Sequence, residues 1–567
     1  MNKSNYFISL SALAFSLILL INACKRDTSS PDVPQPQLTV SAINPGSAPV
    51  SSTIAIEGTN FSTTPASNTV LIGGVAATVV TATSTRLVVV VPDGATTGVV
   101  QVSADGQTAQ SQTTFTVSPK PARPVVEVQG EIRRNVIWSS DTVYLLRGVV
   151  YITTDHTLTI QPGTIIKGAA ADQDPTNRGF AGTLVIELQA KIDARGTATR
   201  PIVFTSAKPS GQRSTGDWGG IVLIGKSPKN RPSATPYTGG IRGTAEAYTE
   251  PFDNSGVMQY VRIEYAGTPR PAVPTDKLNG LTLYGVGSGT VLDHIQVSYS
   301  SADAFAWFGG TANMSYLVAY RTTDDDWSSD WGYAGNVQFG LSLRDPEVAD
   351  MSGSNSIESQ NFDPGENPTG VLTRLQGLPQ TAPVFANISS FAFASTPSTA
   401  VTPRGTGAYQ SGLFLRRNTA LSIYNSLLVG YPEGLRLDGT ATGTLANTTS
   451  NALDVKGVIL ANTLSPVVGG GAITNEQASA FYTAGGRSNQ ILSSADLASL
   501  LLNVNSFNTT SPSFLPQAGS PLLTGAVTGG KLANAFFTSV PYRGAFGTVN
   551  WTADWTNFNP QTTDYDR

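Results

Sequence analysis

The most chemically loaded stretch of this chain is an acidic turn. Asp324, Asp325 and Asp326 are followed by Asp330, placing four carboxylates within seven residues. Ionised carboxylates this close repel one another, and a hard cation that takes six to eight oxygen ligands relieves the repulsion, so the turn points to calcium. The spacing is not that of an EF-hand, which wants a glycine at its sixth position and a glutamate at its twelfth. The same aspartates can instead cap turn amides or pair with Arg321. Asp303 joins the set through a repeat: HIQVSYSSADAFAWF (His294–Phe308) sets over SYLVAYRTTDDDWSSDW (Ser315–Trp331), leaving Phe305 and Trp327 22 residues apart. The candidate metal ligands are therefore Asp303, Asp324, Asp325, Asp326 and Asp330. Trp307, Trp331 and Tyr333 bunch on the same rungs and are the candidate ligand-binding aromatics, since ring faces can stack on sugars. Phe305 and Trp327 suit the core, and Trp331 and Tyr333, set among Gly and Asp, are expected to be reachable.

Two carbohydrate-active chemistries use such acids. Polygalacturonase-like hydrolases resemble one another in a Gly-His-Gly element and an Arg-x-Lys, and neither occurs here. Pectate-lyase-like enzymes combine calcium-bound acids with a basic residue, a role that Arg321 or Arg344 could imitate beside Asp324–Asp326, but no diagnostic phrase supports it. The two histidines, His156 and His294, sit inside strand patterns and read as structural. No phosphate-cradling loop, nucleophile elbow, zinc pattern or dinucleotide fingerprint is present. The balance favours a protein that is not an enzyme.

Positioning these residues falls to short β-rich segments. The cadence of the acidic rungs returns in VMQYVRIEYAG (Val257–Gly267) and LSIYNSLLVGYPEGLRLDG (Leu421–Gly439). Such units at a spacing of 20–50 residues cannot bury an apolar face alone and stack into a solenoid. The expected fold is all-β: an immunoglobulin-like sandwich followed by a right-handed parallel β-helix, with Ile263, Leu283, Ile295 and Leu317 stacking inward. Pro124–Thr142 is placed as a cap on the first edge, and Asn475–Phe481 and Ala495–Leu502 carry helical patterns near the other end. Residues 344–410, rich in Pro, Gly, Ser and Asn, read as long loops. Only 13% of the 567 residues are charged, and 35 basic against 39 acidic residues leave a net charge of −4. That balance argues against a nucleic-acid partner.

The N-terminus reads as an address. Lys3 precedes an apolar run, Phe7–Leu20, too short for a comfortable membrane span. Ile21-Asn22-Ala23-Cys24 resembles the bacterial lipobox, and Cys24 is the single cysteine. The resemblance implies cleavage before Cys24, its lipidation, and a membrane partner engaged through acyl chains. Lys25 after it resembles proteins sent on to the outer membrane. The chain then divides into a signal peptide (1–23), a lipidated cysteine and tether (24–37), a sandwich (38–118) and a β-helix domain (124–567).

Two further resemblances follow. INPGSAPVSSTIAIEGTNF, VLIGGVAATVV and LVVVVPDGATTGVVQV resemble the IPT/TIG family, whose modules act as spacers or interaction domains. TLTIQPGTIIKG, GDWGGIVLIGKSP, NGLTLYGVGSGTVLDHIQV, DDDWSSDWGYAGNVQF and YRGAFGTVNWTADWTNFNP resemble surface and secreted β-helix proteins of Bacteroidetes, with Ser328-Ser329-Asp330-Trp331 departing from the more acidic form of that turn. The likeness implies fold and envelope location and carries little chemistry. The expectation is a non-catalytic outer-membrane lipoprotein that binds glycan or an envelope protein. A calcium-dependent polysaccharide lyase and a structural subunit of an envelope complex are the rivals.

Overall fold

The structure, a computed structural model, describes residues 36–119, 121–270, 273–362, 377–397 and 407–566. Two compact units divide at Pro121 and Ala122. In the first, seven strands hydrogen-bond antiparallel in the order Thr39–Asn44, Thr53–Thr59, Arg86–Val90, Val75–Ala82, Asn68–Ile72, Val100–Ala104, Gln107–Gln110. Alternation sets the core: Leu87 and Val89 point inward from one strand, Val100 and Val102 from another, around Ile56, Ile72 and Phe115.

The second unit is a parallel β-helix whose strands form three faces. The first face stacks Leu281–Tyr284, Phe305–Phe308, Trp327–Asp330, Ile357–Ser359 and Ser411–Arg416 in parallel. Phe305 pairs with Trp327, so the 22-residue register of the sequence is a physical one. The second and third faces come from longer strands that bend in the middle, Gly256–Glu264, Val291–Ser298, Met314–Tyr320, Asn336–Leu343 and Val384–Phe391. The bend is a single left-handed residue, Tyr260, His294, Tyr316, Phe339, Asn387 and Asn425 in successive coils, each with φ between 50° and 61°. Such a φ is uncommon for aromatic residues. Here the first four bends turn their rings outward onto one another, with centroids 4.4 Å apart for Tyr260–His294 and His294–Tyr316, and 5.0 Å for Tyr316–Phe339. Ile263, Leu283, Ile295 and Leu317 are buried inside the coils.

Three details differ from the sequence reading. Pro124–Thr142 is no separate cap: Val125–Ile132 and Val136–Trp138 pair in parallel with the following strands and make the first coil itself. Residues 344–410 are not all loop. Ile357–Ser359 and Val384–Phe391 are full members of the stack, with Ile357, Phe385 and Ile388 in the core. Their strands are short or interrupted by Asn387, so little alternation shows between the Pro- and Ser-rich flanks. Of the two helical patterns, Asn475–Thr483 is an α-helix begun by a Thr474/Gln477 capping box, and it packs Ala478, Phe481 and Tyr482 on the last coils. Ala495–Leu502 shortens to a 3-10 turn at Leu497–Leu500, stopped by the left-handed Leu501.

The segment after residue 500 runs back along the outside of the third face. Phe514, Phe546 and Trp555 cover Val318, Tyr320, Leu341, Phe391 and Leu427. Side-chain amides clamp it by imitating a strand's backbone. Gln338 Nε2 donates to Thr538 O and its Oε1 accepts from Thr538 N, both at 2.8 Å. Gln296 makes the same two-way pair with Asn557, and Asn425 with Val527. At the far end the Tyr565 hydroxyl donates to the buried Glu264 at 2.7 Å, and Lys167 pairs with Asp566.

Candidate functional site

Where the third face turns into the first, successive corners are Tyr299–Ala304, Arg321–Asp326 and Arg344–Ser356. Stacking at the 22-residue register puts Asp303 over Asp325: the Asp325 amide donates to Asp303 Oδ1 at 3.2 Å. Carboxylate oxygens of Asp303, Asp324 and Asp325 all lie within 4.8 Å of one another. Asp325 Oδ1 accepts from the Asn355 amide at 2.7 Å and from its side chain at 3.1 Å. Glu358 stands beside them, on the strand below, 3.5 Å from the same Asn355 side chain.

The electrostatics of this corner are unfavourable to charge. Burial raises the Asp303 carboxyl well above its usual range, and Asp324 and Glu358 add to the effect. Burial and then Asp350 push Asp324 up to about 7. Asp325 is raised by burial, Glu358, Asp324 and Asp303 in that order. Lys277, whose charge acts against the rise at Asp303 and Asp324, is paired with Asp350. An all-oxygen set of crowded carboxylates is the donor chemistry that calcium takes. Beside the acids, Ser301 and Thr323 line a cavity of about 380 Å3 together with Tyr299, Arg321 and Asp345. Arg321 lies 5.0 Å over the Tyr299 ring and donates to Asp345 at 2.5 Å.

The structure separates the other predicted ligands from this corner. Asp326 faces the interior and pairs with Arg344 at 2.8 Å, while the Ser342 hydroxyl donates to its second oxygen. Asp330 lies at the opposite end of Trp327–Asp330, where it pairs with Arg231 at 2.7 Å and accepts from the Trp331 amide. Alternation along a strand and the length of the first face account for both: neighbours in sequence leave toward different sides. The predicted aromatic platform is also absent. Trp307 is 1% exposed, Trp331 6% and Tyr333 0%. Trp307 stacks on Tyr333 at 5.3 Å, the Tyr333 hydroxyl donates to Ala312 O, and Trp331 packs on Tyr284 and Phe308. Trp307 and Tyr333 fill the coil interior with Phe305 and Trp327, while Trp331 is covered on the outer side of the first face, in the cluster of Tyr284 and Tyr237. Cys24 lies outside the described residues.

Sequence reasoning missed Glu358, Lys277, Asp350 and Tyr299. Glu358 follows a 13-residue excursion, so Trp327 pairs with Ile357, 30 residues on, and the period that located Asp303 no longer points to it. Tyr299 alone was within reach, one residue past the strand in the repeat already recognised.

A stack of parallel rungs with an acidic corner defines a class, the β-helix solenoids. Within it, the chain belongs to the pectate-lyase-like β-helix domain family, whose model matches residues 130–495. Residues 38–117 match the IPT/TIG domain. Among solved structures, the chain is similar over 15% of its length to an auxiliary nutrient binding protein from Bacteroides thetaiotaomicron, at 25% identity and a TM-score of 0.15. One of the same description from Bacteroides ovatus gives 23% identity, the same 15% share and the same TM-score of 0.15. The chain spans 22% of the length of each of these two. No curated protein matches the chain. Among the described residues no helix is long and apolar enough to cross a membrane.

Proposed function

We propose that this chain is an outer-membrane lipoprotein, anchored through an acylated Cys24, whose β-helix binds polysaccharide without cleaving it. Asp303, Asp324 and Asp325, with Glu358 beside them, would hold a calcium ion at the edge of the groove formed by Tyr299, Ser301 and Thr323. The convergence of three carboxylates within 4.8 Å next to that groove is the observation that carries the reading. Calcium would supply a charge to which a glycan's hydroxyls or carboxylates could bind, and the Tyr299 ring a face for a sugar.

Binding is favoured over lysis because the cations near the corner are engaged. Lys277 pairs with Asp350, Arg321 with Asp345 and Arg344 with Asp326, so none is poised to abstract a proton from a substrate. The decisive experiment is a glycan array probed with the full chain in calcium and in chelator, alongside absorbance of unsaturated products. Calcium-dependent binding without product absorbance supports the reading; product formation would replace it with the lyase. The anchor is tested separately, since Cys24→Ala should abolish acyl labelling and release the protein from the membrane.

A further inference from the structure

A second cavity, of about 320 Å3, opens at a different corner, where the first face turns into the second. The excursion between Ile224 and Gly256 builds it. Its lining joins Tyr237 and Tyr248 to two carboxylates, Glu187 and Glu246, above Leu188 and Ile224. Tyr237 is held in place by Tyr284, 4.2 Å away between ring centroids. The half-buried Tyr248 donates its hydroxyl to Glu246 at 2.5 Å. Volumes of ~300–1,000 Å3 are those of small-molecule sites, and this one lies at the lower end, suited to a short segment of a ligand.

The charges are arranged asymmetrically. Arg242 is the one basic residue in the lining among the described residues, and it is shared between two acids: Nε meets Glu187 and Nη1 meets Glu131, each at 2.5 Å, while the guanidinium lies 4.1 Å over Tyr151. Lys229 is buried, does not line the cavity, and sits 5.4 Å from the Tyr248 ring. What faces the space is therefore aromatic surface and carboxylate acceptors, with a single cation already shared between Glu187 and Glu131. Ionised carboxylates accept hydrogen bonds and cannot donate them, so they suit hydroxyl-rich partners. Aromatic faces suit the apolar side of a sugar ring.

We infer that this cavity binds an uncharged sugar residue, stacked on Tyr248 against a wall that includes the buried Tyr237, with its hydroxyls donating to Glu187 and Glu246, and that it rejects uronates. A uronate carboxylate placed here would meet Glu246 and a Glu187 whose cation is shared with Glu131, and like-charge juxtaposition suppresses a wrong partner. The inference shares a ligand class with the calcium corner and no residue or metal.

The test is calorimetric titration of the full chain, in chelator, with neutral tetrasaccharides of gluco-, galacto-, manno- and xylo-configuration and with the corresponding uronate tetramers. At least one neutral tetramer should bind, uronates at least tenfold more weakly, and Tyr248→Ala should weaken neutral binding tenfold or more. Glu246→Gln keeps both rings and removes one charge, so it should raise the uronate-to-neutral affinity ratio several-fold. Neutral binding that persists in chelator and in Asp324→Asn stands even if the calcium corner fails. No binding by any neutral tetramer, equal binding of uronates, or an unchanged ratio in Glu246→Gln would overturn the inference.

Discussion

Asp326 and Arg344 meet at 2.8 Å with both side chains at 0% exposure. The same Arg344 nitrogen donates to Asp324 O at 2.6 Å and to Asn355 O at 3.3 Å. One buried guanidinium thus fixes the backbone of the acidic corner from beneath, while the neighbouring carboxylates of Asp324 and Asp325 turn to its outer side.

Removing one member of this pair leaves the other charged and buried. Arg344→Met should cost ~3–5 kcal/mol, and Asp326→Leu a similar amount. The double variant should recover most of the loss, because apolar replacements of a buried pair are often close to neutral. Denaturant unfolding of the three variants checks this. Additive losses in the double variant would show that the two residues act separately.

The acidic corner makes a pH prediction whose sign depends on calcium. Asp324 is raised to about 7 in the folded chain, against ~3.9 for an unperturbed aspartate. A carboxyl raised on folding holds its proton better in the native state, so its ionisation costs stability as pH climbs from about 4 to about 7. In chelator the melting temperature should fall over that window, and less steeply in Asp324→Asn. In calcium the trend should reverse, because the ion binds the ionised form. The gain is RT ln(1 + [L]/Kd), ~2.7 kcal/mol at a hundredfold excess over Kd, present at pH 8 and lost toward pH 5. Identical melting curves in chelator and millimolar calcium at pH 8 would retire the metal site.

Gln338 offers a test of the returning segment. Gln338→Ala removes both hydrogen bonds to the exposed Thr538, which at ~0.5–1.5 kcal/mol each should cost ~1–3 kcal/mol. Gln338→Glu keeps the acceptor but sets a carboxylate oxygen against the Thr538 carbonyl, so it should be no better than alanine. Limited proteolysis followed by mass spectrometry should show earlier cleavage near residue 538 in both.

Inside the coils, Leu317 pairs with Gly340 and Gly340 with Ile388. The missing side chain makes room for Trp327: a Cβ on Gly340 would lie 2.7 Å from Ile388 Cδ1 and 3.2 Å from Trp327 Cζ2. Gly340→Ala should therefore destabilise by ~1–3 kcal/mol through overpacking. Leu317→Ala should cost ~2–5 kcal/mol by leaving a cavity. A thermal melt of Gly340→Ala equal to that of the native chain would show that the indole can move aside.

Much of the solenoid was legible because Phe305 and Trp327 share a register that the chain states twice in succession. That repeat also sets Asp303 one rung from Asp325. It could not say which way each carboxylate leaves the rung, and so grouped Asp326 and Asp330 with residues on other sides of the coil. Trp331 and Tyr333 were misplaced for a related reason. Flanking Gly and Asp suggest exposure, yet Tyr333 fills the coil interior against Trp307, and Trp331 is covered outside the first face by the excursion that carries Tyr237 and Ile241. The partners of Gln296, Gln338 and Asn425 had no local signal at all, since Asn557, Thr538 and Val527 lie 261, 200 and 102 residues away in a stretch without periodicity.

That returning stretch changes how the whole β-helix responds to damage. A solenoid held only by neighbour-to-neighbour stacking behaves as a one-dimensional chain of domino-like units, able to fray from either end. Lys167 and Asp566 are 399 residues apart in sequence, and the clamps at Gln296, Gln338 and Asn425 fall between them. Distant coils are thereby tied to one common cord, so loosening the last coil also loosens the covering of the first. The expected price is kinetic: the outer surface of the third face stays bare until the most distant part of the chain has been made and laid down along it, and folding waits on that final closure.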